Sequence, residues 1–211
     1  MARLPQGILG GVLGKVGNVV GSSWKGIPIL KSRPLSVANP RTTKQVAQRT
    51  KMTNIVAFAQ PLLSAIIKPL NDRFAQQTSG YNDFVSRNIH LFGGTTPTPA
   101  EDLKISVGKM AAVTPTNAQV NDGSVDVSID FPTTLPDAFA SATDLVYAVV
   151  YNATQKTFGV SGGVSTRNDG IVDVVLSAPA ETGDGLLAWI AFRREDGTIV
   201  SNTGYVNFIA D

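Results

Sequence analysis

Four Asp-Gly dipeptides, Asp122-Gly123, Asp169-Gly170, Asp184-Gly185 and Asp196-Gly197, punctuate the second half of the chain, and each precedes a strand-like run. Such pairs suit tight turns, because glycine tolerates positive φ and an aspartate side chain satisfies nearby backbone amides. A chain cut this often holds short strands rather than long helices. The clearest lies at 124–131, where Val125, Val127, Ile129 and Phe131 alternate with Ser124, Asp126, Ser128 and Asp130. That period of two marks a strand with one buried face. Further strands are expected at 145–151, 157–160, 171–176, 186–192 and 198–208, with Arg194-Glu195-Asp196-Gly197 turning a hairpin. About seven strands from residue 103 onward suit an immunoglobulin or fibronectin type III-like β-sandwich. The sequence has no cysteine, so Trp189 is expected to anchor that core without a disulfide.

The first half reads differently. Asn39-Pro40-Arg41-Thr42-Thr43-Lys44-Gln45 holds a capping box, with Thr42 accepting from the backbone and Gln45 reaching back. Helix is expected from there. Val46, Met52, Ile55, Val56, Ala59, Leu62, Leu63, Ile66, Ile67, Leu70 and Phe74 follow at helical spacing and mark a buried stripe that Pro61 and Pro69 kink or divide. A second helix is expected over 79–89, with Tyr81, Phe84, Val85 and Ile89 on one side. Thr95-Thr96-Pro97-Thr98-Pro99-Ala100 reads as a linker, since alternating proline favours extended backbone. The expected fold class is α+β: a glycine-rich β-hairpin arm and helices in 1–95, a linker at 96–102 and a β-sandwich in 103–211. With 43% hydrophobic and 16% charged residues the chain is expected to fold, and 20 Gly with 12 Pro argue against an all-helical bundle.

Charge divides the chain as sharply as pattern does. The first 71 residues hold ten Lys or Arg and no acid; the remainder holds eight bases and sixteen acids. Two readings compete. A basic part can dock on the acidic part of a neighbouring subunit and orient a homomeric assembly, or it can bind nucleic acid through phosphate contacts. Glycines at 7, 10, 11, 14, 17 and 21 and the charge of Lys15 make the first stretch a poor signal peptide or helical anchor. No membrane insertion is expected. The stretch reads instead as short strands, with Lys25-Gly26 at a hairpin turn. Glycine-rich strands of this kind take their edges from neighbouring subunits, or pack on the chain's own helices.

Little in the sequence suggests catalysis. Zero cysteines and the single His90 exclude thiolate chemistry and any site needing two imidazoles. Gly159-Val160-Ser161-Gly162-Gly163 lacks the strand-to-helix context of a phosphate loop, and Asp169, Asp173, Asp184 and Asp196 lack calcium-loop spacing. The expectation is a protein that is not an enzyme and uses no cofactor or metal.

Several stretches carry a resemblance. Ala2-Arg3-Leu4-Pro5-Gln6-Gly7-Ile8-Leu9-Gly10-Gly11, Gly14-Lys15-Val16-Gly17-Asn18-Val19-Val20-Gly21, Trp24-Lys25-Gly26, the Asn39-Pro40-Arg41-Thr42 segment through Gln48-Arg49, and the 79–88 stretch resemble an uncharacterised family common in Bacteroidetes and their phages. Asn-Pro-x-Thr before a Gln/Arg-rich helix also resembles small phage and prophage structural proteins. The resemblance implies a virion component, such as a minor capsid, decoration or tail-associated protein, made in the bacterial cytoplasm and partnered by itself and by shell or tail proteins. The attachment surface is then expected in the basic N-terminal region, with Trp24, Ile27 and Ile29 as apolar anchors and Lys15, Lys25, Lys31, Arg33 and Arg41 giving orientation. The alternative is an adhesion module whose sandwich loops recognise cell-surface glycan or protein. Nucleic-acid binding by residues 1–71 is expected to be weak.

Overall fold

The computed structural model describes residues 2–3, 12–34, 36, 39–120 and 123–210. The opening motif at 4–11 and Asp122 of the first Asp-Gly pair lie outside the described residues. The chain divides into two compact units, Met1–Val46 and Ala47–Asp211. The first is a four-stranded antiparallel sheet of β1 (Ala2–Arg3), β2 (Gly14–Val16), β3 (Val19–Trp24) and β4 (Ile27–Ser32), in the order β1-β4-β3-β2.

Helix α1 (Thr43–Leu62) begins where the capping box places it. Gln45 Oε1 accepts from the Thr42 amide at 3.2 Å, and Thr42 Oγ1 accepts from the Gln45 amide at 3.4 Å. The prolines do not end the helical run but change its winding. A π turn (Leu63–Ile67) follows Pro61, and α2 (Lys68–Asn71) resumes with Pro69 in its first turn. Proline at 69 cannot donate to the Ala65 carbonyl one turn back. Gly162 approaches that oxygen so closely that a Cβ there would sit 2.9 Å from it. By length and a mean hydropathy of 1.2, Thr43–Asn71 would suffice to cross a membrane, a property it shares with core helices of soluble folds. Helix α3 (Gly80–Asn88) starts at Ser79, whose Oγ accepts from the Asn82 amide at 3.2 Å.

Seven strands follow among the described residues: β5 (Asn117–Gln119), β6 (Asp126–Asp130), β7 (Leu145–Asn152), β8 (Thr157–Thr166), β9 (Ile171–Val175), β10 (Gly185–Arg193) and β11 (Gly204–Ile209). They form two antiparallel sheets, β11-β10-β7-β8 and β5-β6-β9. Val127, Ile129, Val172 and Val174 of the smaller sheet share one buried cluster with Val146, Ala148, Val150, Leu186, Ala188, Ile190 and Phe192 of the larger. The other face of the larger sheet is buried too. Tyr147, Val149, Tyr151, Trp189 and Ala191 pack with Ile55, Phe58, Leu62, Ile66, Phe84 and Phe92 of the helical region. The layers therefore run helices, four-stranded sheet, three-stranded sheet.

This arrangement corrects three expectations. Trp189 is fully buried, but against the helices rather than between the two sheets, with its ring centroid 6.1 Å from that of Phe58. The stretch read as a linker is packed. Ala100 O accepts from Trp189 Nε1 at 2.9 Å and Pro97 is buried, and just past the stretch Leu103 and Ile105 are fully buried in the helix–sheet core. The helices supply one wall of the sheet's core within the unit Ala47–Asp211. The stripe on α1 is also shorter than its spacing implies: burial starts at Ile55, while Val46 and Met52 are 46% and 42% exposed.

Two buried polar groups pin the ends of the larger sheet. Arg167 and Asp144 are both fully buried, paired at 3.3 Å, with the guanidinium 3.9 Å from the Phe192 ring centroid. Burial pushes the Arg167 guanidinium below its ordinary value, and Asp144 pulls against that shift. At the opposite end, Asp184 Oδ2 accepts from Asn152 Nδ2 and Gln155 Nε2 at 2.7 Å each and from the Glu181 amide at 3.1 Å. The Asn152 hydrogen bond, followed by that of the amide, holds the Asp184 carboxyl below its ordinary value.

Two outcomes follow. Residues 47–211 expressed alone will unfold cooperatively in urea, whereas 103–211 alone will expose Trp189, Tyr147 and Tyr151 and lose its cooperative transition, both read by tryptophan fluorescence. The Asp184 carboxylate stabilises the fold fully above the ordinary aspartate value of about 4, and that contribution is lost as pH falls through its lowered folded value. Asp184→Asn will therefore be less stable than the parent at neutral pH and will show a flatter acid limb in pH-dependent unfolding.

Candidate assembly interface

The arm is built by two tight turns. Lys25 and Gly26, with φ of 46° and 79°, form the turn between β3 and β4 that the sequence indicates, and positive φ at both positions matches a type I′ hairpin. Gly17 (φ 58°) and Asn18 join β2 to β3. The registers pair Lys15 with Val20, Val20 with Lys31, Ser22 with Ile29 and Trp24 with Ile27. Paired residues share a face and neighbours along a strand alternate. Lys15, Val20, Trp24, Ile27, Ile29 and Lys31 thus stand on one face, cations at one end and aromatic and aliphatic side chains at the other. The opposite face carries Val16, Val19, Gly21, Pro28 and Leu30 by the same register. Val12 crosses it at Gly21, where a Cβ would lie 2.0 Å from the Val12 carbonyl oxygen.

Five of the eight residues singled out from sequence are therefore brought together by the ladder: Lys15, Trp24, Ile27, Ile29 and Lys31. Trp24 is 46% exposed, Ile27 and Ile29 are half-buried, and both lysines are exposed. Lys25 sits at the turn. Arg33 lies just past β4, its amide donating to Asn18 O at 2.7 Å, and Arg41 is exposed before α1; neither belongs to the strand face. Among the described residues of 12–46, Gly21 alone is buried. Among the described residues the arm's strands therefore bury little of their own side-chain surface.

The start of α1 has the same character. Every residue from Thr43 to Thr50 is exposed, and an isolated helix of this length is marginal in water. Sequence reasoning placed Val46 and Met52 in the core and so missed them as surface residues. The visible signal was density: apolar positions are sparse before Ile55 and crowded after it.

His90 is exposed in the 3₁₀ turn Ile89–Leu91, and Asp83 pairs with Arg87 one helical turn away. Among the described residues, no group of three or more His, Cys, Asp or Glu side chains is arranged to hold a metal.

A family profile described as a family of unknown function, DUF6266, matches residues 11–207. The chain belongs to DUF6266. The match runs from just before β2 almost to the end of β11 and leaves out β1. It also reaches well beyond the first 90 residues that carried the resemblance. No curated protein and no solved structure matches the chain.

Gly26→Val forces a β-branched residue into the left-handed region at a cost of about 1–3 kcal/mol. Amide hydrogen exchange of β3 and β4 will accelerate in this variant, while β7 and β10 keep their protection.

Proposed function

We propose that this DUF6266 protein is a non-enzymatic structural component of a bacteriophage particle, a minor capsid, decoration or tail-associated protein that assembles through its basic arm. The observation that carries the assembly reading is the arm: the register puts Lys15, Lys31, Trp24, Ile27 and Ile29 on one face, with the lysines and Trp24 exposed, a surface suited to a partner. The first turns of α1 are exposed as well. The phage setting is supported by the resemblance of the Asn39-Pro40-Arg41-Thr42 and 79–88 motifs to phage structural proteins. In a symmetric particle, modest contacts repeated many times hold a chain firmly through effective concentration.

The seven strands of the second unit are read as an immunoglobulin or fibronectin type III-like sandwich. In chain order they distribute as first, second and fifth in one sheet and third, fourth, sixth and seventh in the other. That is the division of such sandwiches when the fourth strand joins the larger sheet. In this reading the sandwich is the projecting body and the arm is the attachment.

Particles made with the full chain and with a chain lacking residues 2–34 provide the test. Mass spectrometry will find the full chain in purified particles and the truncated chain reduced at least tenfold. Undiminished incorporation of the truncated chain would remove the arm from the mechanism, and absence of the full chain would remove the particle assignment. Duplex DNA will bind only weakly at physiological salt; tight binding that falls linearly in log salt and is lost on charge reversal of the arm would favour nucleic acid as the partner instead.

A further inference from the structure

We propose that the Lys15–Trp24–Lys31 face of the arm of one molecule packs on the outer face of the β5-β6-β9 sheet of a second copy. This rests on the assembly reading above and names the partner surface. On that outer face the register sets Asp126 opposite Val175, Ser128 opposite Asp173, and Asp130 opposite Ile171. The intervening residues Val127, Ile129, Val172 and Val174 point inward and are fully buried. Ser128 Oγ donates to Asp173 Oδ1 at 2.7 Å, which holds that carboxylate against the sheet. None of the three strands contains a lysine or arginine. Val175 is 60% exposed and Ile171 39%, so the carboxylates are interleaved with uncovered aliphatic surface.

The arm is of opposite character. It offers two cations, Lys15 and Lys31, to a face whose only charges are carboxylates, apolar side chains beside those cations, and strands of similar length, Val19–Trp24 and Ile27–Ser32 against Asp126–Asp130 and Ile171–Val175. Two sheets of this size stack about 10 Å apart with side chains meeting between them. Burial of Trp24 and the isoleucines against Ile171 and Val175 supplies affinity, while Lys15 and Lys31 against Asp126, Asp130 and Asp173 select the partner and its register. The contact is therefore heterologous, arm to sheet, and repeats head to tail into a ring or a filament.

Sedimentation velocity of the full chain over a range of concentrations tests this. Association is expected at low salt and is expected to weaken as the screening length falls from about 10 Å at 0.1 M to about 3 Å at 1 M. Lys15→Glu/Lys31→Glu and Asp126→Lys/Asp173→Lys will each sediment as monomers with unchanged circular dichroism. Their equal mixture will associate again, since each arm then faces a sheet of opposite sign. Carbodiimide cross-linking of mixed isotopically light and heavy wild-type chains gives a readout that needs no variant to fold: Lys15 or Lys31 will be joined to Asp126, Asp130 or Asp173 in light–heavy pairs. A monomeric full chain, cross-links confined to single molecules, or association that survives the sheet reversal would overturn the inference. Full chain that is monomeric yet enters particles through residues 2–34 would leave the assembly reading standing without it. Copies that associate by charge swap yet are absent from particles would do the reverse.

Discussion

The second unit depends on the burial of β7 and β10 from both sides. Alternate residues of these paired strands face two different cores, Val146, Ala148 and Val150 toward the smaller sheet and Tyr147, Val149 and Tyr151 toward the helices. A sheet whose two faces are both apolar is stable only when both are covered. Removing either covering layer leaves a large apolar surface in water, at roughly 25 cal/mol per Å² of the area exposed. The helices and the two facing sheets of the second unit thus share their cores across β7 and β10.

The helical cover shows how that demand shapes local structure. The run from Thr43 to Asn71 would be interrupted by its two prolines in a solvent-exposed setting, yet it passes through a π turn and resumes. The winding change keeps Ile66 and Ile67 in the core on the far side of Pro61. Gly162 on β8 leaves room for the Ala65 carbonyl that Pro69 cannot satisfy. Strand and helix thus approach most closely where the facing residue has no side chain.

The arm is set by its ladder and turns. Alternation gives it two faces, one carrying Lys15, Lys31, Val20, Trp24, Ile27 and Ile29 with Ser22 among them. Among the described residues of 12–46 Gly21 alone is buried. The outer face of β5-β6-β9 carries Asp126, Asp130 and Asp173, so part of the charge segregation along the chain falls on two separate sheet faces.

Much of this was legible in the residues. The Thr42–Gln45 capping box, the Ser79 helix start, the Lys25-Gly26 turn and the strands after Asp169-Gly170 and Asp184-Gly185 are local devices, set by a few neighbouring residues, and each stands where the spacing places it, whereas the strand expected at 198–208 begins only at Gly204. The strip Leu145–Asn152 is continuously apolar while Asp126–Asp130 alternates, and that contrast between a strand buried on two faces and one buried on one was present in the sequence as well. What the sequence left open was which surfaces meet. Trp189 read as an anchor between sheets and Thr95–Ala100 as a linker, because spacing reports the period of burial and carries no information on the partner across the interface. Only the tertiary structure assigns the helices to the second face of the larger sheet and joins Lys15, Trp24 and Lys31 on one face of the arm. Such pairings lie many residues apart along the chain, and register and packing decide them rather than local propensity.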